Sequence, residues 1–310
     1  MAGVTDPPFR NRLRRNGCRY LFTEMISAAA LARENRKTLD SLRAPDLGPD
    51  LAVQIFGADP AELAAAAERA REAGFRHVDF NMGCPVRKVV RTGSGAALLR
   101  DLPRAERCLR ALRDRVTGVL SVKMRTGWDA GTVCALEAAR MAEACGVDLV
   151  ILHGRTRAQG YAGRADWELV ARVARSVAVP VVGNGDLRSG AEAVARLRDS
   201  GCAGVMIGRA ALSAPWVFGQ AEARWAGRPA PPVPGLAAVG EDLVRQMEDL
   251  LSLRPERVAV AEMRKFVAWA SRGARGAAAF RREVQRIERA RDMAEAIRRF
   301  FSEEREREAA

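Results

Sequence analysis

Short apolar runs alternate with longer amphipathic stretches along most of this chain. The runs Tyr20 to Glu24, Leu51 to Phe56, His77 to Asn81, Val119 to Arg125, Val147 to His153, Val179 to Asn184 and Gly204 to Ile207 are brief and bounded by Gly, Pro, Asn or Asp, which predicts strands. Between them, segments rich in Ala, Leu, Arg and Glu near 60–74, 101–115, 130–145, 166–176 and 189–200 repeat apolar positions at three and four, which predicts helices. Asp59-Pro60, Asp101-Leu102-Pro103, Asp166 and Ser189 open several of them, because a short polar side chain can accept the unpaired N–H groups of a first turn and Pro has none to lose. Strand and helix alternating in this way predict βα units around a parallel sheet.

Every predicted strand ends in polar residues or glycine: Thr23-Glu24, Gln54 and Gly57, Asn81 to Pro85, Lys123 and Arg125, His153 to Thr156, Asn184 to Asp186, Gly208-Arg209. An open doubly wound sheet would gather such residues at one switch point, whereas a (β/α)8 TIM barrel builds its site from all the carboxyl ends. A TIM barrel over residues 1–226 is therefore expected. It needs an eighth strand, and the polar turn Met1 to Asp6 reads as the end of a first strand that is itself missing. The run Gly227 to Gly235 holds four prolines and continues neither helix nor sheet, so it reads as a linker. Beyond it, residues 236–308 are helical in pattern, with Leu243, Met247, Leu250, Leu251 and Met263, Phe266, Val267, Ala270 spaced for a small bundle.

Composition fits one large core with an appendage: 310 residues, 48% of them hydrophobic. No apolar run reaches the roughly 20 residues that span a bilayer, and no signal core opens the chain, so a soluble, cytoplasmic protein is expected; a monomer is the working expectation, which the sequence itself does not fix. Six cysteines without a Cys-x-x-Cys pair and two histidines argue against a disulfide framework or a metal site. The net charge of +13 favours a polyanionic partner such as nucleic acid, although only four of the 51 basic residues are lysine and an arginine-rich composition inflates the signal. Between Arg264 and Arg291, nine Lys or Arg stand against two acidic residues, interleaved with Phe266, Trp269 and Phe280. That cluster is either a solvated helical face or an RNA-backbone surface.

The candidate chemistry sits at the strand ends. Cys84, in Asn81-Met82-Gly83-Cys84-Pro85, lies on a stiff turn where a small neighbour lets a flat ligand approach; it is either a structural thiol or a reactive one. Gly183-Asn184-Gly185-Asp186 and Gly208-Arg209 suit a phosphate, since glycines expose N–H groups and arginine offers a fork of donors. If Val122 and Met124 pack outward, Lys123 points into the barrel, where the electron-rich edge of a reduced isoalloxazine would partner its charge. Gln54 could donate to and accept from such an edge. His153 could add a donor or could be a satisfied core histidine.

Met1-Ala2-Gly3-Val4-Thr5-Asp6, Asn81 to Pro85, Lys123-Met124-Arg125-Thr126-Gly127-Trp128, His153-Gly154-Arg155-Thr156-Arg157, Asn184-Gly185-Asp186 and Gly208-Arg209-Ala210-Ala211 together resemble the tRNA-dihydrouridine synthases, the bacterial B-type branch above all. The resemblance runs from Met1 to about Phe218 and, more loosely, through Met263-Arg264-Lys265. It implies an FMN enzyme that uses NADPH to reduce the C5=C6 bond of uridine in tRNA. It implies that Met1, Ala2, Gln54, Lys123, His153, Asn184, Gly185, Asp186, Gly208 and Arg209 surround FMN and that Asn81 meets the uracil edge. Arg155 is a further substrate candidate, as are Arg87, Lys88 and Arg91 after the Cys84 turn, and Arg264 and Lys265 in a helical tRNA-binding domain. Hydride added at C6 leaves enolate character that needs a proton at C5; a cysteine thiol, ordinarily near pKa ~8.5, still carries one at neutral pH, which makes Cys84 the matching acid. The base must also leave its stack to be reached. The family carries a further stretch ahead of the residue matching Met1, so either the true start lies upstream or the barrel is truncated with one seam unpaired, and the glycine-rich Ser271 to Gly276 departs from the family's helix junction. The competing readings are an FMN barrel acting on a free pyrimidine and a non-catalytic RNA-binding relative.

Overall fold

A computed structural model describes residues 1–302; the last residues of the expected 236–308 helical stretch, 303–308, lie outside the described residues. The described chain divides into two compact units. The first comprises Met1–Asp6, Arg19–Leu187 and Glu192–Ile207, and the second takes Pro7–Cys18, Arg188–Ala191 and the chain from Gly208 onward.

The first unit holds seven strands: β1 (Leu21–Ser27), β2 (Leu51–Phe56), β3 (His77–Met82), β4 (Val119–Arg125), β5 (Leu149–His153), β6 (Val181–Asn184) and β7 (Gly204–Met206). They pair in chain order, each parallel to the next, in the βα succession of a TIM barrel. Among the described residues this is the whole sheet. The helices Pro60–Glu72, Leu102–Arg113 and Trp167–Ala174 begin where the capping signals fall: Asp59, Asp101 and Asp166 accept from the N–H groups of Glu62, Arg104 and Leu169. β2 and β3 are buried along nearly their full length, on both faces, as parallel strands covered by helices must be.

Of the boundaries that differ from the sequence pattern, four have a clear local reason. β1 runs three residues past Glu24 because its register shifts between Phe22 and Met25; there the Thr23 hydroxyl accepts the Gln54 N–H at 3.1 Å, and the ladder resumes at Met25. β6 starts at Val181 and not Val179, since Pro180 has no N–H to pair and lends only its carbonyl, to Val150. β5 begins two residues late because Asp148 turns its carboxylate to the Leu120 N–H at 2.8 Å. The helix expected from 130 begins only at Ala135, because Asp129 closes a turn on Gly131 and Thr132, and Gly127 bridges to Val133.

The second unit is helical: Pro7–Arg15, Val217–Trp225, Leu236–Leu251, Glu256–Ala270, Ala277–Val284 and Ala290–Phe300. The expected apolar positions Leu243, Met247, Leu250, Met263, Phe266 and Val267 form its core. Pro7–Arg15, to which the pattern assigned no element, belongs here. Phe9 stacks on Phe266 with centroids 5.1 Å apart, and the wholly buried Arg12 donates to Asp242 at 2.7 Å. No helix among the described residues is long and apolar enough to cross a membrane.

Candidate active site

Cys84 follows β3 directly and is a free, partly exposed thiol. Its turn is closed from both sides. Asn81 Oδ1 accepts the backbone N–H groups of Gly83 (3.1 Å) and Cys84 (2.9 Å), while the Cys84 carbonyl accepts the Ala96 N–H at 3.1 Å. Gly95 lies against that carbonyl with φ +63°; a Cβ there would stand 2.9 Å from the Cys84 oxygen, so the close approach requires glycine. Arg125, at the end of β4, donates through Nε to the Gly83 carbonyl (3.0 Å) and through Nη1 to the Thr156 (2.7 Å) and Gly160 (2.9 Å) carbonyls, fastening the turn to the loop after β5.

Strand alternation places His77, Asp79 and Asn81 on one face of β3. In register, Gln54 of β2 and Ser121 of β4 flank Asp79, and Lys123 of β4 stands beside Asn81. The side chains join in sequence. Asn81 Nδ2 donates to Gln54 Oε1 at 2.9 Å, Gln54 Nε2 donates to Asp79 Oδ2 at 2.7 Å, and the Ser121 hydroxyl donates to Asp79 Oδ1. Beyond it, Ser121 meets His77 Nε2 at 2.8 Å and Tyr20 closes on His77 Nδ1. Burial pushes Asp79 up to about 6, and the Ser121 and Gln54 hydrogen bonds with the Lys123 charge oppose it, so it is mostly a carboxylate at neutral pH. Burial likewise draws His77 down to about 4.

Lys123 points inward while Val122 and Met124 are buried on the other face, as their alternation requires. Its ammonium donates to Asn184 Oδ1 at 3.3 Å, and Asn184 Nδ2 donates to the Met206 carbonyl at 2.7 Å. Burial pulls Lys123 down to about 8, against the attraction of Asp79. His153 is enclosed and held neutral, drawn to about 2 by burial and by Lys123, Arg125 and Arg155. Gly185, at φ +131°, packs where a Cβ would come within 2.5 Å of Ala165 and 3.1 Å of His153.

The structure thus gathers Cys84, Asn81, Gln54, Lys123, His153, Asn184 and Gly185 at the carboxyl ends of adjacent strands. Other candidates have different surroundings. Arg155 is 2% exposed; it donates to the Ala162 (3.0 Å) and Gly163 (2.6 Å) carbonyls and to Asp186 (2.7 Å), which also accepts the Ala165 N–H. Arg155 and Asp186 in this way hold the 156–166 loop. Met1 and Ala2 are exposed in a turn whose Met1 carbonyl accepts from Val4 and Thr5. Arg87 and Lys88 are exposed on the short helix Arg87–Val90, with Arg91 exposed at its end. Gly208 and Arg209 belong to the helical unit, as do Arg264, which donates to the Ile287 carbonyl at 2.9 Å, and Lys265, whose ammonium lies 5.1 Å over Phe266. The pattern gave no notice of Asp79, Ser121 or Tyr20, and it marked Arg125 only as a polar strand end. The available signal was a string of polar residues at alternate positions of strands otherwise too apolar to face water.

These features define a TIM barrel with a free thiol and a cluster of polar side chains at the carboxyl ends of its strands. Residues 1–305 match the family described as "Dihydrouridine synthase (Dus)", and the chain belongs to that family. It is 37% identical to a probable tRNA-dihydrouridine synthase of Rhodobacter capsulatus, over 100% of this chain and 94% of that protein. It is 36% identical to tRNA-dihydrouridine synthase B of Pseudomonas putida, over 99% of this chain and 91% of the relative. Among solved structures, the 6-hydroxypseudooxynicotine amine oxidase of Pseudomonas geniculata N1 is similar with a TM-score of 0.56 at 14% identity, over 83% of this chain and 52% of that one. Histamine dehydrogenase from Rhizobium sp. 4-9 gives a TM-score of 0.55, also at 14% identity, over 80% of this chain and 47% of that one. The chain spans about half the length of each, and the likeness is one of fold.

Proposed function

We propose that this protein reduces the C5=C6 bond of uridine in tRNA, with Cys84 as the proton donor to C5. The observation that carries this reading is the Cys84 turn itself: a free thiol whose backbone is held by Asn81, Ala96 and Arg125 beside the inward Lys123. A flavin fits this donor set, because Lys123 is a half-buried cation whose hydrogen bond to Asn184 leaves further donors for an electron-rich edge. By family resemblance Met1, Ala2, Gln54, Lys123, His153, Asn184, Gly185, Asp186, Gly208 and Arg209 would hold FMN. When bound, FMN recharged by NADPH supplies the hydride to uracil C6.

The chain's own groups do the rest. As the π bond opens and C6 gains its hydrogen, the electron pair left at C5 takes the Cys84 proton, and the thiolate is reprotonated from water. Lys123 keeps positive charge at the site, which favours the enolate character passed through on the way. Asn81 keeps one amide N–H, beyond the one donated to Gln54, for the uracil edge, and Arg87 and Lys88, exposed beside the turn, would meet flanking phosphates. The helical unit beyond residue 236 serves as the tRNA-binding domain, presenting Arg272, Arg282, Arg286 and Arg289 to solvent.

Replacing Cys84 by Ala tests the assignment. The variant is expected to keep its flavin absorbance and its affinity for tRNA while dihydrouridine formation, read by mass spectrometry of the tRNA, falls by about a hundredfold or more, the scale of lost general-acid catalysis. Undiminished dihydrouridine formation would remove Cys84 from the chemistry.

A further inference from the structure

The polar relay through the interior of the sheet has a direction, and the direction is set at the Cys84 turn. Asn81 Oδ1 faces two backbone N–H groups, those of Gly83 and Cys84, so its amide nitrogen must face Gln54. Gln54 must then present its oxygen to Asn81 and its nitrogen to Asp79. Neither amide can flip without setting donor against donor. The relay therefore needs an obligate acceptor at its inner end, and Asp79, wholly buried, supplies it.

We propose that Asp79 is the positioning residue for the Cys84 turn, acting through Gln54 and Asn81 from the centre of the sheet. This deepens the functional reading above and rests on it for the role of Cys84. The carboxylate does not reach the thiol; it locks the amide chain that holds the thiol's backbone. Its second oxygen takes the Ser121 hydroxyl, so the leg through Ser121, His77 and Tyr20 satisfies Asp79 from the other side without touching the turn. Burial raises Asp79 only to about 6, because the Ser121 and Gln54 hydrogen bonds and the charge of Lys123, opposite Asn81 in the ladder, favour its carboxylate.

The polarity predicts an asymmetry that simple packing does not. In Asp79→Asn, an amide oxygen can still accept from Gln54 while its nitrogen donates to Ser121, reversing only the Ser121–His77–Tyr20 leg. In Asp79→Leu, the Gln54 nitrogen is left buried without an acceptor, and Gln54 can satisfy it only by moving away from Asn81, which loosens the anchor of the turn. Ser121→Ala removes a donor to Asp79 and leaves the Gln54 side intact.

The test is the alkylation rate of Cys84 by iodoacetamide in the full chain, read peptide by peptide with the buried Cys18, Cys108, Cys145 and Cys202 as internal references. Asp79→Leu is expected to raise the rate by about tenfold or more, the scale on which an unpartnered buried polar group shifts an equilibrium, and Asp79→Asn and Ser121→Ala to stay within about threefold. Asn81→Ala should raise it as much as Asp79→Leu, and the double variant no further, because both cut one chain. An unchanged rate in Asp79→Leu, or an equal rise in Ser121→Ala, overturns the proposal. Should Asp79→Leu fail to fold, Gln54→Met severs the chain with the carboxylate in place, and a wild-type rate there overturns it equally. Labelling needs no tRNA, so its outcome is separate from that of Cys84→Ala, which reads the uridine chemistry.

Discussion

Asp79, His77 and His153 are ionisable groups enclosed in one unit, and they respond to acid in opposite senses. Burial lowers His77 to about 4 and His153 to about 2 from an ordinary 6.5, so below that value the unfolded chain binds two protons that the folded chain refuses, and stability falls with pH. Asp79 works against this: raised from 3.8 to about 6, it takes up a proton in the folded chain while the unfolded one is still ionised. Between about pH 6 and pH 4 the three groups leave a net uptake of about one proton on unfolding, so stability falls as the pH is lowered, by on the order of 1 kcal/mol per pH unit. In Asp79→Asn the compensation is gone and the slope should approach two protons. Urea midpoints of both proteins across that range check this; equal slopes would show that Asp79 titrates as an ordinary carboxylate. At this scale the thiol's turn was readable from Gly83-Cys84-Pro85, and the inward Lys123 from its apolar neighbours. Asp79 was not, because Val78 and Phe80 make its run look like any buried strand and its partners Gln54 and Ser121 lie 25 and 42 residues away.

Strands and loops meet in Arg125, whose guanidinium ties the turn after β3 to the loop after β5. Three carbonyls of two loops share this one side chain, which is 3% exposed. Arg125→Met would leave them without their charged donor, for a loss of roughly 3 kcal/mol. Cleavage within 156–166 by a protease under native conditions should speed up accordingly, and Arg125→Lys, which cannot span the same fork, should recover only part of the loss. Wild-type cleavage of Arg125→Met would mean that Arg155 and Asp186 hold the loop unaided. The elements themselves followed the sequence pattern closely, since Asp caps, Gly-Pro boundaries and apolar periodicity act within a few residues. The deviations at β1, β5, β6 and Ala135 came where one side chain, Thr23, Asp148 or Asp129, or a proline, replaced a ladder or helix hydrogen bond.

For the whole molecule, the division of the chain matters more than its length. The helical unit takes Pro7–Cys18 from near the start and Gly208 onward from the end, and it carries the basic cluster. Arg282 and Arg286 are exposed and line an open groove of about 710 Å³ that also bears Glu283, Glu288 and Asp292. If this face meets tRNA, Arg282→Glu with Arg286→Glu should weaken binding and flatten its salt dependence by roughly 0.7 to 0.9 in log–log slope for each phosphate no longer neutralised. Filter binding across a salt series decides it, and an unchanged slope would return the cluster to the solvent. By itself the sequence determined the succession of strands and helices, the stiff turn that bears Cys84, the inward direction of Lys123 and the excess of positive charge, because each depends on neighbours within a few positions. Tertiary structure decided what those groups touch. Arg12 reaches an aspartate 230 residues away, Arg155 one 31 residues away, and Asp79 the two neighbours that make its burial tolerable. A buried charge is stable only beside its partner, and which partner that is depends on strand register and helix packing, quantities that no short stretch of sequence contains.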